Sequence, residues 1–119
     1  MQRVSELTRR VAGPAVVLGL LISAIAPVAN AETHVVEMLK YKYVPEEITI
    51  KAGDTVHWVN VERRAYHTIW FKEQGEKETA ELFPKEFFEK TFDKPGDYPY
   101  LCGPHWEQRD MKGVVHVLP

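Results

Sequence analysis

The run EITIKAGDTVHWVN, Glu47 to Asn60, constrains this chain more than any other feature. Ile48 and Ile50 alternate with Thr49 and Lys51, and the turn residues Ala52-Gly53-Asp54 follow. Val56 and Trp58 then share one face, opposite Thr55, His57 and Val59. A two-residue apolar period is the signature of half-buried strands, because successive side chains in a strand point to opposite faces. The same rhythm recurs in Leu39, Tyr41 and Tyr43, in HTIWF from His67 to Phe71, and in FEKTF from Phe88 to Phe92. After the turn signal Lys94-Pro95-Gly96-Asp97 it returns in Tyr98, Tyr100 and Cys102, and finally in GVVHVL, where Val115 and Val117 point inward. About seven to eight short strands without repeats predict an all-β chain, an antiparallel Greek-key β-sandwich.

Two stretches depart from the rhythm. The charged run KEQGEKETAELFPKEF reads as a surface excursion, in which only Glu76 to Leu82 has the makings of a short helix. Pro99 lacks an amide hydrogen, so its strand is expected at a sheet edge or unpaired at that position.

The N-terminal segment obeys other rules. Arg3, Arg9 and Arg10 precede the uncharged run VAGPAVVLGLLISAIAPVANA, which ends in the small-residue exit Ala29-Asn30-Ala31. A basic head, an apolar middle and such an exit describe an export signal, residues 1–31, cleaved before Glu32. A retained membrane anchor is the competing reading, weakened by Pro14, Ser23, Pro27 and Asn30 within the apolar run. Arg9-Arg10 leaves the route open between general and twin-arginine export. Residues 32–119 then form one small domain of 88 residues, carrying 12 basic and 16 acidic side chains, with no membrane span after cleavage. That negative balance argues against a nucleic-acid partner.

Cys102 is the single cysteine, so no internal disulfide can form. In an oxidising compartment a free thiol invites oxidation unless something occupies it, and a metal does. The stretch YPYLCGPHWEQRDMKG places His105 three residues and Met111 nine residues after Cys102, where a strand runs out into a loop. His67, at the start of its own predicted strand, supplies a further imidazole. Two imidazoles, a thiolate and a weak thioether match a mononuclear type 1 copper site. Thiolate and thioether favour Cu(I), while imidazole serves both oxidation states. Zinc competes poorly, since a structural zinc site wants four firm donors and usually paired cysteines. A catalytic thiol would need an oxyanion site and a cleft that a domain this small has little room for. A merely buried cysteine is the plainest alternative.

The landmarks YVPEEITIKAGDTVHWVN, HTIWF, TFDKPGDYPYLC and CGPH followed by MKGVVHV resemble the small blue copper proteins, the cupredoxins, most closely their amicyanin, pseudoazurin and plastocyanin group. The likeness spans nearly the whole chain after residue 31. It implies His67, Cys102 and His105 as the strong ligands of one copper ion and Met111 as the axial one. It also implies that Asn60 ties the cysteine loop to the neighbouring strand. Five residues separate His105 from Met111, more than in the amicyanin and plastocyanin patterns. Gln108 stands at the shorter spacing and is the alternative axial donor. The link VERRAY before His67 is also one residue longer than in amicyanin, with Tyr66 where proline is usual.

The resemblance implies a periplasmic one-electron carrier and not an enzyme, a monomer that docks briefly on redox proteins such as a c-type cytochrome or a periplasmic oxidoreductase. A copper-homeostasis protein of the same fold, buffering the metal, is the alternative. His34, His57 and His116 are expected to be solvated side chains, with a weaker second copper site as their other possible use.

Overall fold

The computed structural model describes residues 30–119, and within them Ala31–Pro119 forms one compact unit. The export segment read at residues 1–31 lies outside the described residues, save Asn30 and Ala31. Seven strands follow in order: β1 (Thr33–Leu39), β2 (Lys42–Val44), β3 (Glu47–Lys51), β4 (Thr55–Asn60), β5 (Phe87–Thr91), β6 (Gly96–Leu101) and β7 (Lys112–Leu118). One short helix, α1 (Trp106–Arg109), precedes β7. None of the described helices is long and apolar enough to cross a membrane.

The strands form a sandwich of two sheets, β2-β1-β4-β5 and β3-β7-β6. Alternation does what the sequence implies. In β4, Val56, Trp58 and Asn60 are buried while Thr55, His57 and Val59 are half-buried, and Val115 and Val117 of β7 close the other sheet. Trp58 sits at the centre, with Phe71, Phe88, Phe92 and Tyr100 arranged around its ring. Pro99 lies on β6, the edge strand of the smaller sheet, so its missing donor faces no neighbouring strand.

The ladders are mixed where an antiparallel arrangement was expected throughout. β1 pairs with β4 and β3 with β7 in parallel, while β1–β2, β4–β5 and β6–β7 are antiparallel. The cause is connectivity. The chain leaves the first sheet after β2, passes through β3 in the other, and returns as β4 beside β1, so neighbours joined by a crossover run the same way.

HTIWF is not a regular strand. His67, Thr68 and Ile69 are buried in succession, and the segment is pinned by two isolated bridges, His67 to Leu82 and Trp70 to Leu101. It changes partners along its length, so neither face is free for solvent. Glu76 to Leu82 forms no helix for a related reason. Its amides reach back to this segment, Thr79 N–H to Ile69 O (3.1 Å) and Leu82 N–H to His67 O (2.8 Å). Helical geometry appears instead as a short 3₁₀ turn at Lys72–Gln74, ended by Gly75 at φ 72°.

Asp54 locks the turn between β3 and β4 to the start of β1. Its carboxylate accepts from Glu32 N–H (2.9 Å) and Lys51 N–H (3.1 Å) and pairs with His34 Nε2 (2.9 Å). The Glu32 amide first, then the His34 side chain and the Lys51 amide, hold its carboxyl at about 2, against an ordinary 3.8. A carboxyl depressed in the folded state stabilises above its ordinary value and loses that contribution as pH falls through the depressed one. Asp54→Asn is therefore expected to lower stability to urea by a constant amount near neutral pH. The gap to the wild type should close between about pH 4 and pH 2.

Candidate metal centre

Two connections meet at one end of the sandwich, the one between β4 and β5, which delivers His67, and the one between β6 and β7, which delivers Cys102 and His105. Cys102 follows β6 directly, and its carbonyl accepts from His105 N–H (3.2 Å) and Trp106 N–H (2.9 Å), folding His105 back over the thiol. α1 ends at Asp110, whose left-handed φ of 54° reverses the chain. That reversal lets Met111 O accept from Cys102 N–H (3.0 Å). His67 arrives from the loop after β4, its backbone held by the two-way bridge to Leu82 (3.1 and 2.8 Å).

The donor atoms converge. His67 Nδ1 lies 3.2 Å from His105 Nδ1, and Cys102 Sγ lies 3.9 Å from the first and 3.4 Å from the second. A trigonal ion with bonds of about 2.0 Å to nitrogen and 2.3 Å to sulfur spaces its donors by about 3.5 to 3.7 Å. The trio fits such an ion. It is also the one group of at least three histidine, cysteine or acidic side chains with metal-holding geometry among the described residues.

Burial acts on these groups in opposite senses. It pushes the His67 imidazole down, and it pushes His105 down with help from the Arg109 charge, which favours the neutral rings that can donate a lone pair. It pushes the Cys102 thiol up, against the Thr68 amide that favours the thiolate. A thiolate at this site therefore calls for a cation beside it.

The surroundings fix the orientation of each donor. Glu62 Oε1 lies 3.3 Å from His67 Nε2. A carboxylate only accepts, so the ring hydrogen belongs on Nε2 and Nδ1 keeps its lone pair. The same Glu62 oxygen accepts from Tyr41 N–H (3.0 Å). Thr68 N–H donates to Cys102 Sγ (3.4 Å), Thr68 Oγ1 accepts from Gly103 N–H (2.8 Å), and Tyr43 OH donates to Thr68 O (2.7 Å). Tyr41 stands edge-on to both imidazoles, with ring centroids 5.6 Å from His67 and 4.8 Å from His105, and the Arg109 guanidinium lies 4.1 Å from its ring centre.

Asn60 is fully buried, and among the described residues its side chain makes no hydrogen bond to the cysteine loop. Its Nδ2 donates to Ala65 O (2.9 Å) and Leu82 O (2.8 Å), and its Oδ1 accepts from Glu62 N–H (2.8 Å), so it shapes the loop that carries Glu62 and His67. Thr68 ties the cysteine loop instead. Neither Thr68 nor Glu62 carries a motif of its own in the sequence; closeness to His67 in the chain is the one signal that points to them.

The two axial candidates part company. Met111 is fully buried in the core cluster with Cys102, whereas Gln108 is exposed on α1. The remaining histidines stay away from the centre, and each meets a carboxylate: His34 meets Asp54, His57 meets Glu89, and His116 lies between Asp97 and Glu47.

The sequence pattern of the copper binding proteins of the plastocyanin/azurin family matches residues 30–118. Amicyanin of Paracoccus versutus is 38% identical over 106 residues, covering 82% of this chain and 77% of its own. Plastocyanin of a Synechococcus strain is 33% identical over 105 residues, covering 76% and 77%. The crystal structure of amicyanin from Paracoccus versutus superimposes with a TM-score of 0.63 at 37% identity, over 80% of this chain and 87% of that one. The chain belongs to the plastocyanin/azurin family of copper-binding proteins.

Glu62→Ala removes the acceptor that sets the His67 tautomer. Copper affinity, measured by chelator competition, is expected to fall by about 10- to 100-fold, while Glu62→Gln, which keeps an acceptor oxygen, falls less.

Proposed function

We propose that the chain is an exported one-electron carrier that holds copper through His67, Cys102 and His105, with Met111 as the weak axial donor. One observation carries this reading: three donors from two separate loops, His67 from one and Cys102 and His105 from the other, meet with their ligand atoms within 4.8 Å of one another, each held by backbone hydrogen bonds. Copper supplies the Cu(II)/Cu(I) couple. The chain supplies a cage whose three donors are anchored independently of the ion, so little need move when the charge changes.

His67 and Cys102 are buried and keep water out, while His105 is half-buried. Pro104 and Trp106 flank that histidine in the chain and Tyr66 packs near its ring, surroundings that favour brief docking of a redox protein through a small apolar contact. Three strong donors and a buried fourth leave no open position for a substrate, which supports a carrier and not an enzyme. The export signal at residues 1–31 supports a periplasmic location, with a monomer working alongside a c-type cytochrome or a periplasmic oxidoreductase.

Cu(II) added to the apoprotein is expected to give intense visible colour that Cys102→Ser abolishes. Met111→Ala should shift the spectrum and the reduction potential, and Gln108→Ala should leave both unchanged; the opposite pattern would move the axial role to Gln108. Repeated one-electron cycling without loss of metal supports the carrier, whereas ready transfer of copper to a chelator on each cycle favours the homeostasis alternative.

A further inference from the structure

Cleavage between Ala31 and Glu32 would leave a chain beginning Glu32-Thr33-His34, with a histidine at its third position. We propose that this amino terminus is a second metal site, separate from the cysteine cage, that binds Cu(II) or Ni(II). Its donors are the α-amine of Glu32, the backbone nitrogens of Thr33 and His34, and Nδ1 of His34. The proposal rests on the export reading, because the amine exists only in the processed chain.

The structure holds the two ends of this tripeptide on one carboxylate. Asp54 Oδ1 lies 2.9 Å from Glu32 N, and Asp54 Oδ2 lies 2.9 Å from His34 Nε2. Since a carboxylate only accepts, the tautomer that suits this contact carries its hydrogen on Nε2 and leaves the lone pair on Nδ1. No hydrogen bond to His34 Nδ1 is present among the described residues. His67 is prepared for its metal in a similar way, with Glu62 on Nε2 and Nδ1 turned toward Cys102 and His105. The other two outlying histidines lack the arrangement. His57 Nδ1 is taken by Glu89, and His116 has a carboxylate on each nitrogen.

Four nitrogens spaced along three consecutive residues close fused chelate rings in one plane, the geometry that Cu(II) and Ni(II) prefer. The ion replaces three protons, one from the terminal ammonium and one from each of the two amides. Thr33 and His34 are the first two rungs of β1 against Thr55 and Val56, so binding gives up only the first rungs of that ladder and leaves it intact from Val35 onward. With no thiolate and no axial thioether, the site suits the oxidised ion and not Cu(I), unlike the cage.

The test uses protein exported from the full-length gene, with its start determined by intact mass and its cage filled with colourless Cu(I), titrated with Ni(II). One equivalent is expected to form a yellow, diamagnetic, square-planar complex. An alanine inserted after Ala31 moves His34 to the fourth position and is expected to abolish it, while Asp54→Asn weakens it about 10-fold. No complex on a chain starting at Glu32, equal binding with the inserted alanine, or a mature chain starting elsewhere would each overturn the proposal. Oxidising the same samples reads the cage separately, so a colourless cage would count against the copper centre without touching the terminal site.

Discussion

The backbone of Cys102 is the constraint on which the rest depends. Its amide donates to Met111, its carbonyl accepts from His105 and Trp106, and its sulfur accepts from the Thr68 amide. Four contacts on one residue close the loop between β6 and β7 and clamp it to the segment that carries His67. The sandwich supports this clamp from below, since Tyr100, two residues earlier, packs against Trp58 at the centre of the core. A donor set built this way is positioned by folding, and the side chains have little left to arrange for themselves.

The same arrangement works against a free thiolate. Burial raises the Cys102 thiol and lowers both imidazoles, so it favours neutral donors, and a thiolate there calls for a cation beside it. Glu62 and Thr68 refine the cage from the outside, one by choosing which nitrogen of His67 carries the hydrogen and the other by steadying the sulfur.

Much of this was legible in the sequence. The two-residue period marked β3, β4, β6 and β7, and Pro99 identified an edge strand. The spacing of Cys102, His105 and Met111 pointed to the loop in which the structure brings Cys102 and His105 together beside His67. Pairing direction was not legible, because crossovers between sheets decide which strands become neighbours. HTIWF looked like a strand since its odd positions are apolar or aromatic. Alternation cannot reveal that Thr68, on the other side, is buried against Gly103 and Glu78. Asn60 was recognised as important, but its partners in the loop before His67 are set by tertiary contacts that no local pattern encodes.

X-ray absorption at the copper edge, recorded on the oxidised and the reduced protein, tests the central claim most directly. A cage built by the fold predicts one sulfur and two imidazole nitrogens around copper in both states, at nearly unchanged distances. Loss of an imidazole on reduction, or a first shell without sulfur, would contradict it.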